Sequence, residues 1–376
     1  MKDQKEFYGF NVFNIISTFV RSLIEIFISL YLFKKGFNLK SIVLFYVLAN
    51  FIAIPISYVF ALIGEKTRYV YVMLFSYVCF IGLQLILKKV FLSNWYILLI
   101  AFIYSLYRRG YWIARRYYMT NFMPRKRSSF WFGIISASGQ IAKILAGYAG
   151  AYIFSGSSLF MVTSVASVLL LVSIIPIFKM KYDKKPVKIE LIKNMKKYDK
   201  GNFLTFSFFE LDDLLSYLFP IYIALYVNSS YMLAGNLNAI SNFAIIIFIL
   251  VYGKLINNKR NFMILSTILV IICSLLKLTV TSYLIMIVYF VDGLVLKMQN
   301  QSSQKIYFEN NNGIDKTHYT LLYDFVECFM RGFVGSILLF MSDIKVMILT
   351  VLLIITILMG IYMLYISSIN KKTVNS

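Results

Sequence analysis

Apolar positions in this chain come in long unbroken runs rather than in the alternating or every-third pattern of a water-soluble fold. Twelve such runs lie near 9–33, 41–63, 69–88, 95–118, 130–154, 158–179, 202–227, 231–256, 262–280, 282–300, 318–341 and 344–368. Each offers the roughly 20 mostly apolar residues that a helix needs to cross the hydrocarbon of a bilayer. The tenth is the weakest, interrupted by Asp292 and Lys297. Polar breaks between runs are short, and the longest, 180–200, separates six segments from six. The pattern predicts an all-α integral membrane protein of twelve transmembrane helices in two pseudo-symmetric six-helix bundles. Residues 1–179 form one bundle and 201–376 the other, joined by a polar linker over 180–200.

Composition supports this reading. Hydrophobic residues make up 60% of the 376 positions and charged ones 14%, where soluble domains have about 45–50% and 25%. Three cysteines (Cys79, Cys273, Cys328), an odd number each set in an apolar run, exclude a disulfide scaffold. The start of the chain runs into the first span without a small-residue cleavage pattern, so that helix serves as the targeting signal.

Charge adds orientation. The formal net charge of +22 would suggest nucleic acid in a soluble protein. Here, 26 of the 38 Lys and Arg fall in the loops on one side of the twelve-span scheme, and seven, Lys277 among them, on the other. Basic loops are retained in the cytoplasm, so both termini are expected there in a multi-pass protein of the cell membrane, with no nucleic-acid partner. The Ile/Lys/Asn-rich composition points to an AT-rich bacterial genome, and a monomer is the expectation.

The informative exceptions are ionisable residues inside the spans. Arg21, Arg108, Arg109, Lys143 and Arg331 are basic; Glu25, Glu210, Asp212, Asp213, Asp292, Asp324 and Glu327 are acidic. Each costs about 2.5–3.5 kcal/mol at a helix centre facing lipid, so they must face one another or a wet cavity. Spacing agrees: Asn14, Thr18, Arg21, Glu25 and Ser29 form one stripe, Glu210, Asp213 and Tyr217 a second below Pro220, and Asp324, Glu327 and Arg331 a third. In span 4, Arg108 and Arg115 fall in one column and Arg109 and Arg116 in the next, with Trp112 between. Arg115 and Arg116 are expected as anchors at the cytoplasmic end, and Lys143 either snorkels or pairs with an acid. Ser138, Ala142, Ala146 and Gly150 make a small-residue face suited to close helix packing.

An internal repeat gives these stripes a frame. Ala61–Arg68 (ALIGEKTR) and Gly253–Arg260 (GKLINNKR) align without a gap 192 residues apart, near half the chain length. The same shift sets Arg21 opposite Asp213, one basic and one acidic. With these loops, and across nearly its full length, the chain resembles the major facilitator superfamily of secondary transporters. Members carry G-x-x-x-D-R-x-G-R between spans 2 and 3. Here Ala61 stands for the leading Gly, Glu65 for the Asp, Lys66 for the first Arg and Tyr69 for the second. The resemblance implies a cytoplasmic gate at Glu65 and Arg68, and places spans 1, 4, 7 and 10 around a central cavity. On that basis Arg21, Arg108 and Arg109, with Trp112 and Tyr217, are candidates for binding an anionic or polar group. Glu25 or Asp213 would take up and release a coupling proton. The alternative for the charged residues is a set of inter-helix salt bridges, with Asp324, Glu327 and Arg331 gating.

Other chemistries lack their residues. The single histidine, His318, precedes Asp324 by the wrong interval for an acyltransferase. There is no cysteine–histidine cluster for a metal and no P-loop for ATP, so no cofactor and no enzyme activity are expected. The expectation is proton-coupled alternating-access transport, in the efflux direction, of an amphipathic or anionic small organic molecule. A lipid or glycolipid flippase of the same fold and a non-transporting sensor or accessory subunit are the alternatives.

Overall fold

A computed structural model describes residues 2–122, 128–156, 159–178, 200–227, 230–252, 259–279, 284–309 and 316–374. Among them the chain is helical, with no strand. The first half holds α1 (Lys2–Glu25), α2 (Ile28–Lys34), α3 (Leu39–Lys66), α4 (Tyr69–Lys88), α5 (Asn94–Phe122), α6 (Ser128–Gly156), α7 (Leu159–Ser173) and α8 (Ile175–Phe178). The second holds α9 (Lys200–Tyr226), α10 (Tyr231–Tyr252), α11 (Lys259–Thr279), α12 (Leu284–Glu309), α13 (Lys316–Leu338) and α14 (Ile344–Val374). The linker expected over 180–200 lies almost wholly outside the described residues, as do Gly253–Asn258 of the repeated loop.

Two of the expected spans are broken rods. α1 and α2 are separated by a turn at Ile26 and Phe27, directly after Glu25, and α7 and α8 by Ile174. Pro55 and Pro220 lie inside α3 and α9 without ending them. Between α2 and α3 the chain reverses at Gly36, whose φ of 95° favours glycine, and the Asn38 side chain then caps α3 by accepting from the Ser41 N–H at 2.8 Å.

Five stretches are long and apolar enough to cross a membrane by length and composition: Glu6–Lys34, Leu39–Lys66, Tyr69–Lys88, Tyr231–Val251 and Ile344–Tyr365. Several of the other long helices carry the buried charges; α5 alone has Arg108, Arg109, Arg115 and Arg116. The same residues that lower its hydropathy therefore mark it as a wall of the interior.

Packing repeats with the sequence. The first rod (α1–α2) packs on α5, α6 and the α7–α8 rod, and α9 packs correspondingly on α12, α13 and α14. α5 sits against α3 and α4 as α12 sits against α10 and α11. The two sets meet through α6 on α10 and α3 on α13, which are exchanged by the same half-chain shift, and through α2 on α9.

Both large contacts use glycine for close approach. At the α6–α10 crossing, a β-carbon on Gly235 would lie 2.6 Å from the Gly147 carbonyl oxygen and 2.7 Å from Ala151. The face holding Ser138, Ala142, Ala146 and Gly150 turns instead toward α1, with Ser138 donating to Asn11 at 2.9 Å. Gly235→Val is expected to destabilise the protein by about 1–3 kcal/mol through overpacking. Gly82→Ala, at a position with nothing within 4 Å of the added carbon, should leave stability unchanged or slightly raised. Thermal unfolding of the two purified variants in detergent checks this.

Candidate functional site

Halfway along the rods, charges from both sets converge. Arg108 and Arg109 sit at the middle of α5, Asp213 at the middle of α9 and Glu327 at the middle of α13. Glu327 is the hub. Its Oε1 accepts from Arg109 at 2.8 Å and from Arg331 at 2.7 Å, and its Oε2 from Arg116 at 3.1 Å. Arg109 and Arg116 also pair with Asp324, the former at 3.4 Å. Arg108 donates to the Tyr217 hydroxyl at 2.6 Å and to Asp213 at 3.4 Å, and Arg331 closes the circuit by pairing with Asp213 as well. Tyr217 is stacked at 4.0 Å on Tyr46 of α3. Every one of these links except Arg331–Glu327 and Arg331–Asp213 joins the first set to the second.

Arg109, Asp324, Glu327 and Arg331 are all buried, whereas the Asp213 side chain is 48% exposed. The network therefore borders an open gap at Asp213. It is also a set of buried ions that are tolerated because each is paired: removing one partner would leave the others with uncompensated charge.

A second group lies in the first set. The Arg21 guanidinium rests over Tyr111 at 3.9 Å and Trp112 at 5.0 Å, and its nearest acid, Glu25, is 3.7 Å away. Its Nε and Nη1 are buried without hydrogen-bond partners, although the residue is only 5% exposed. Glu25 meanwhile accepts from the Tyr107 hydroxyl. Arg115 gives both Nε and Nη2 to the Asn14 side chain, at 3.0 and 2.9 Å, and has no carboxylate bound to it among the described residues. Lys143, in mid-α6, makes no hydrogen bond or ion pair among the described residues and is within electrostatic range of Arg21, Arg115, Glu25 and Asp213. Trp112 is flanked by three guanidinium groups, those of Arg21, Arg115 and Arg116, at 5.0, 5.1 and 5.8 Å from its ring. Such contacts stabilise a cation without neutralising it.

The sequence-expected residues thus fall into separate groups. Arg108, Arg109, Asp213, Tyr217, Asp324, Glu327 and Arg331 are brought together. Arg21, Glu25 and Trp112 form the neighbouring group, and the Arg21 and Asp213 side chains are each paired elsewhere rather than with one another. Glu65 and Arg68 stand apart at the α3–α4 turn, where Glu65 accepts from Tyr69 at 3.0 Å. Glu210 and His318 have side chains outside the described residues.

Two expectations are corrected. Arg116 is no surface anchor: it is bound to Asp324 and Glu327, because the face of α5 that carries Arg109 continues two turns on to Arg116 and both side chains reach the same two acids of α13. Arg115 is likewise held inside, by Asn14. Lys277, counted among the loop bases, is buried in α11 and paired with Asp292 at 2.7 Å. A base within a turn or two of a span end has the same hydropathy whether it snorkels out or turns in, so the linear pattern does not separate these cases.

Set against known families, the model of the Major Facilitator Superfamily matches residues 10–296. A comparison with curated proteins gave no match.

If the Glu327 hub is one coupled unit, Glu327→Gln should cost about 3–5 kcal/mol by leaving several buried arginines undercompensated. Adding Arg109→Met to that variant should then cost less than Arg109→Met does alone. A coupling energy of about 0.5–3 kcal/mol in a double-mutant cycle by unfolding in detergent is expected, against additive losses if the contacts are independent.

Proposed function

The chain belongs to the major facilitator superfamily of secondary transporters, and on that footing we propose that it carries a small organic anion across the cell membrane by alternating access, coupled to protons. The two helix sets rock about the Glu327 network, with the 64–68 loop on the cytoplasmic side and both termini inside. The observation that carries this reading is the surplus of positive charge in the first helix set beside the Glu327 network. Arg21 has two buried donors without acceptors, Lys143 has no ion-pair partner among the described residues, and Arg115 is held by a neutral amide. Among the described residues Glu25 is the one carboxylate paired with any of these three cations, while Arg108 and Arg109, the other expected ligands, are engaged with Asp213, Asp324 and Glu327. A bound anion supplies the missing acceptors and charge. The rings of Tyr111 and Trp112 beside Arg21 suit an amphipathic body next to that anionic group.

Aromatic packing supports a conformation closed at the end we assign to the outside. Phe27, Phe154 and Tyr231 meet there at 5.1 to 6.0 Å, joining the first rod, α6 and α10.

Efflux is the direction favoured by the sequence reading. One contact favours the opposite: Glu25 is the carboxylate nearest Arg21, so its protonation would release Arg21 to the anion. Proton and anion would then load together, as in symport.

Purified protein in liposomes, with a trapped pH-sensitive dye and a panel of carboxylates, sulfonates and phosphate monoesters, tests the proposal. At least one anion is expected to change luminal pH, in a direction that reveals symport or exchange. Arg21→Gln and Lys143→Gln should each lower the rate about tenfold or more, as expected for a charge-assisted hydrogen bond of roughly 1.5–3 kcal/mol. Flux unaffected by either change would remove the anion site. Absence of flux across the panel, with lipid scrambling present instead, would favour a flippase.

A further inference from the structure

In the first helix set α1 and α6 lie side by side and run in the same direction. A β-carbon on Gly139 would lie 3.5 Å from the Asn14 side chain, and one on Gly150 would lie 2.9 Å from the Leu23 carbonyl oxygen. Lys143 stands one turn beyond Gly139 and two turns before Gly150 on the same stripe of α6. That sets it at the height of Thr18 and Arg21 on α1.

Arg21, Lys143 and Arg115 are thus three cations at neighbouring heights in one helix set. Arg21 and Arg115 share the ring of Trp112, at 5.0 and 5.1 Å from its centre. Their close neighbours are mostly neutral. Arg115 is held by the Asn14 and Tyr111 side chains, and Asn14 gives its own amide hydrogen to the Ile135 carbonyl at 3.3 Å. Arg21 rests on Tyr111 and keeps Nε and Nη1 buried without acceptors.

Two carboxylates, Glu25 and Asp213, and one further cation, Lys297 of α12, lie within electrostatic range of Lys143. Glu25 is 3.7 Å from Arg21 and also accepts from Tyr107. Asp213 is engaged by Arg108 at 3.4 Å and by Arg331. Lys297 donates to the Ser136 hydroxyl at 2.6 Å. Among the described residues, then, Lys143 and Arg115 have no carboxylate in contact, and the one carboxylate beside Arg21 leaves two of its donors unmet.

A singly charged solute on the Arg21 donors would leave Lys143 and Arg115 as like charges away from water, which is costly. A second negative charge on the same solute compensates them, and the low dielectric that penalises the cations strengthens that attraction. We propose that the solute taken up at this site carries two negative charges, one facing the Arg21 donors and the other facing Lys143 and Arg115. A dicarboxylate or a doubly ionised phosphate monoester has this chemistry. The inference rests on the anion site proposed above and adds to it the number of charges.

Calorimetry on the purified full-length protein, with an alkyl sulfonate and the disulfonate of equal chain length, counts those charges, because neither anion titrates near neutral pH. The disulfonate should bind about tenfold more tightly or better, as expected for one added charge-assisted contact. Lys143→Gln should weaken the disulfonate about tenfold and the sulfonate less, so that the preference narrows, and Lys143→Arg should restore it. Arg115→Gln should narrow it as well, which keeps the test open if Lys143→Gln fails to fold. Equal affinities, or a preference unmoved in both Gln variants, overturns the proposal and leaves the anion site in place. Two sulfonates bound where one disulfonate binds overturns it in favour of separate small anions. Binding of neither removes the anion site, and this inference with it. Tight disulfonate binding without flux in liposomes removes the carrier reading and leaves the doubly charged ligand standing.

Discussion

One carboxylate organises the middle of this protein. Glu327 accepts hydrogen bonds from three guanidinium groups, two from the opposite helix set, and lies 3.7 Å from that of Arg108. Burial of so many ions gives little net stability compared with an apolar core of the same shape. Its effect is selective: the position of α13 against α5 has to bring Asp324 and Glu327 together with Arg109 and Arg116, while Arg331 reaches Asp213 of α9. The contact is thus tight in geometry and weak in net energy, which suits an interface that has to come apart and reform.

Balance within the network directs attention to what is unbalanced beside it. Arg21 is stacked on aromatic rings and Arg115 is hydrogen-bonded to an amide, arrangements that orient a charge and leave it available. The helix that carries Arg115, α5, reaches both groups: Arg108, Arg109 and Arg116 turn to the second set, while Arg115 and Trp112 turn to α1. A solute bound at Arg21 is therefore one helix face away from the contacts between the sets.

Much of the fold was legible because a run of apolar residues long enough to span a bilayer has few other uses. The half-chain repeat, seen as one eight-residue alignment, has its counterpart in packing: α3 on α13 and α6 on α10 exchange under the same shift. The turn at Ile26 and Phe27 was not legible, since neither Pro nor Gly marks it. For the site, the cost of a charge in an apolar helix singled out Arg21, Arg108, Asp213 and Glu327 without any structure. Their partners were not readable, because which face of α5 meets which face of α13 is decided by packing between distant segments. Arg116 and Lys277 show the limit most clearly: the first depends on contacts more than two hundred residues away, the second on which way one helix is turned.

The aromatic closure formed by Phe27, Phe154 and Tyr231 differs in kind from the charged contacts at mid-depth. Parting those rings wets apolar surface, which carries a positive heat-capacity change, whereas parting ion pairs exposes groups that water solvates with the opposite sign. The balance between the two orientations of such a carrier should then curve with temperature. Temperature thus becomes a handle that tells apart two contacts built from different materials.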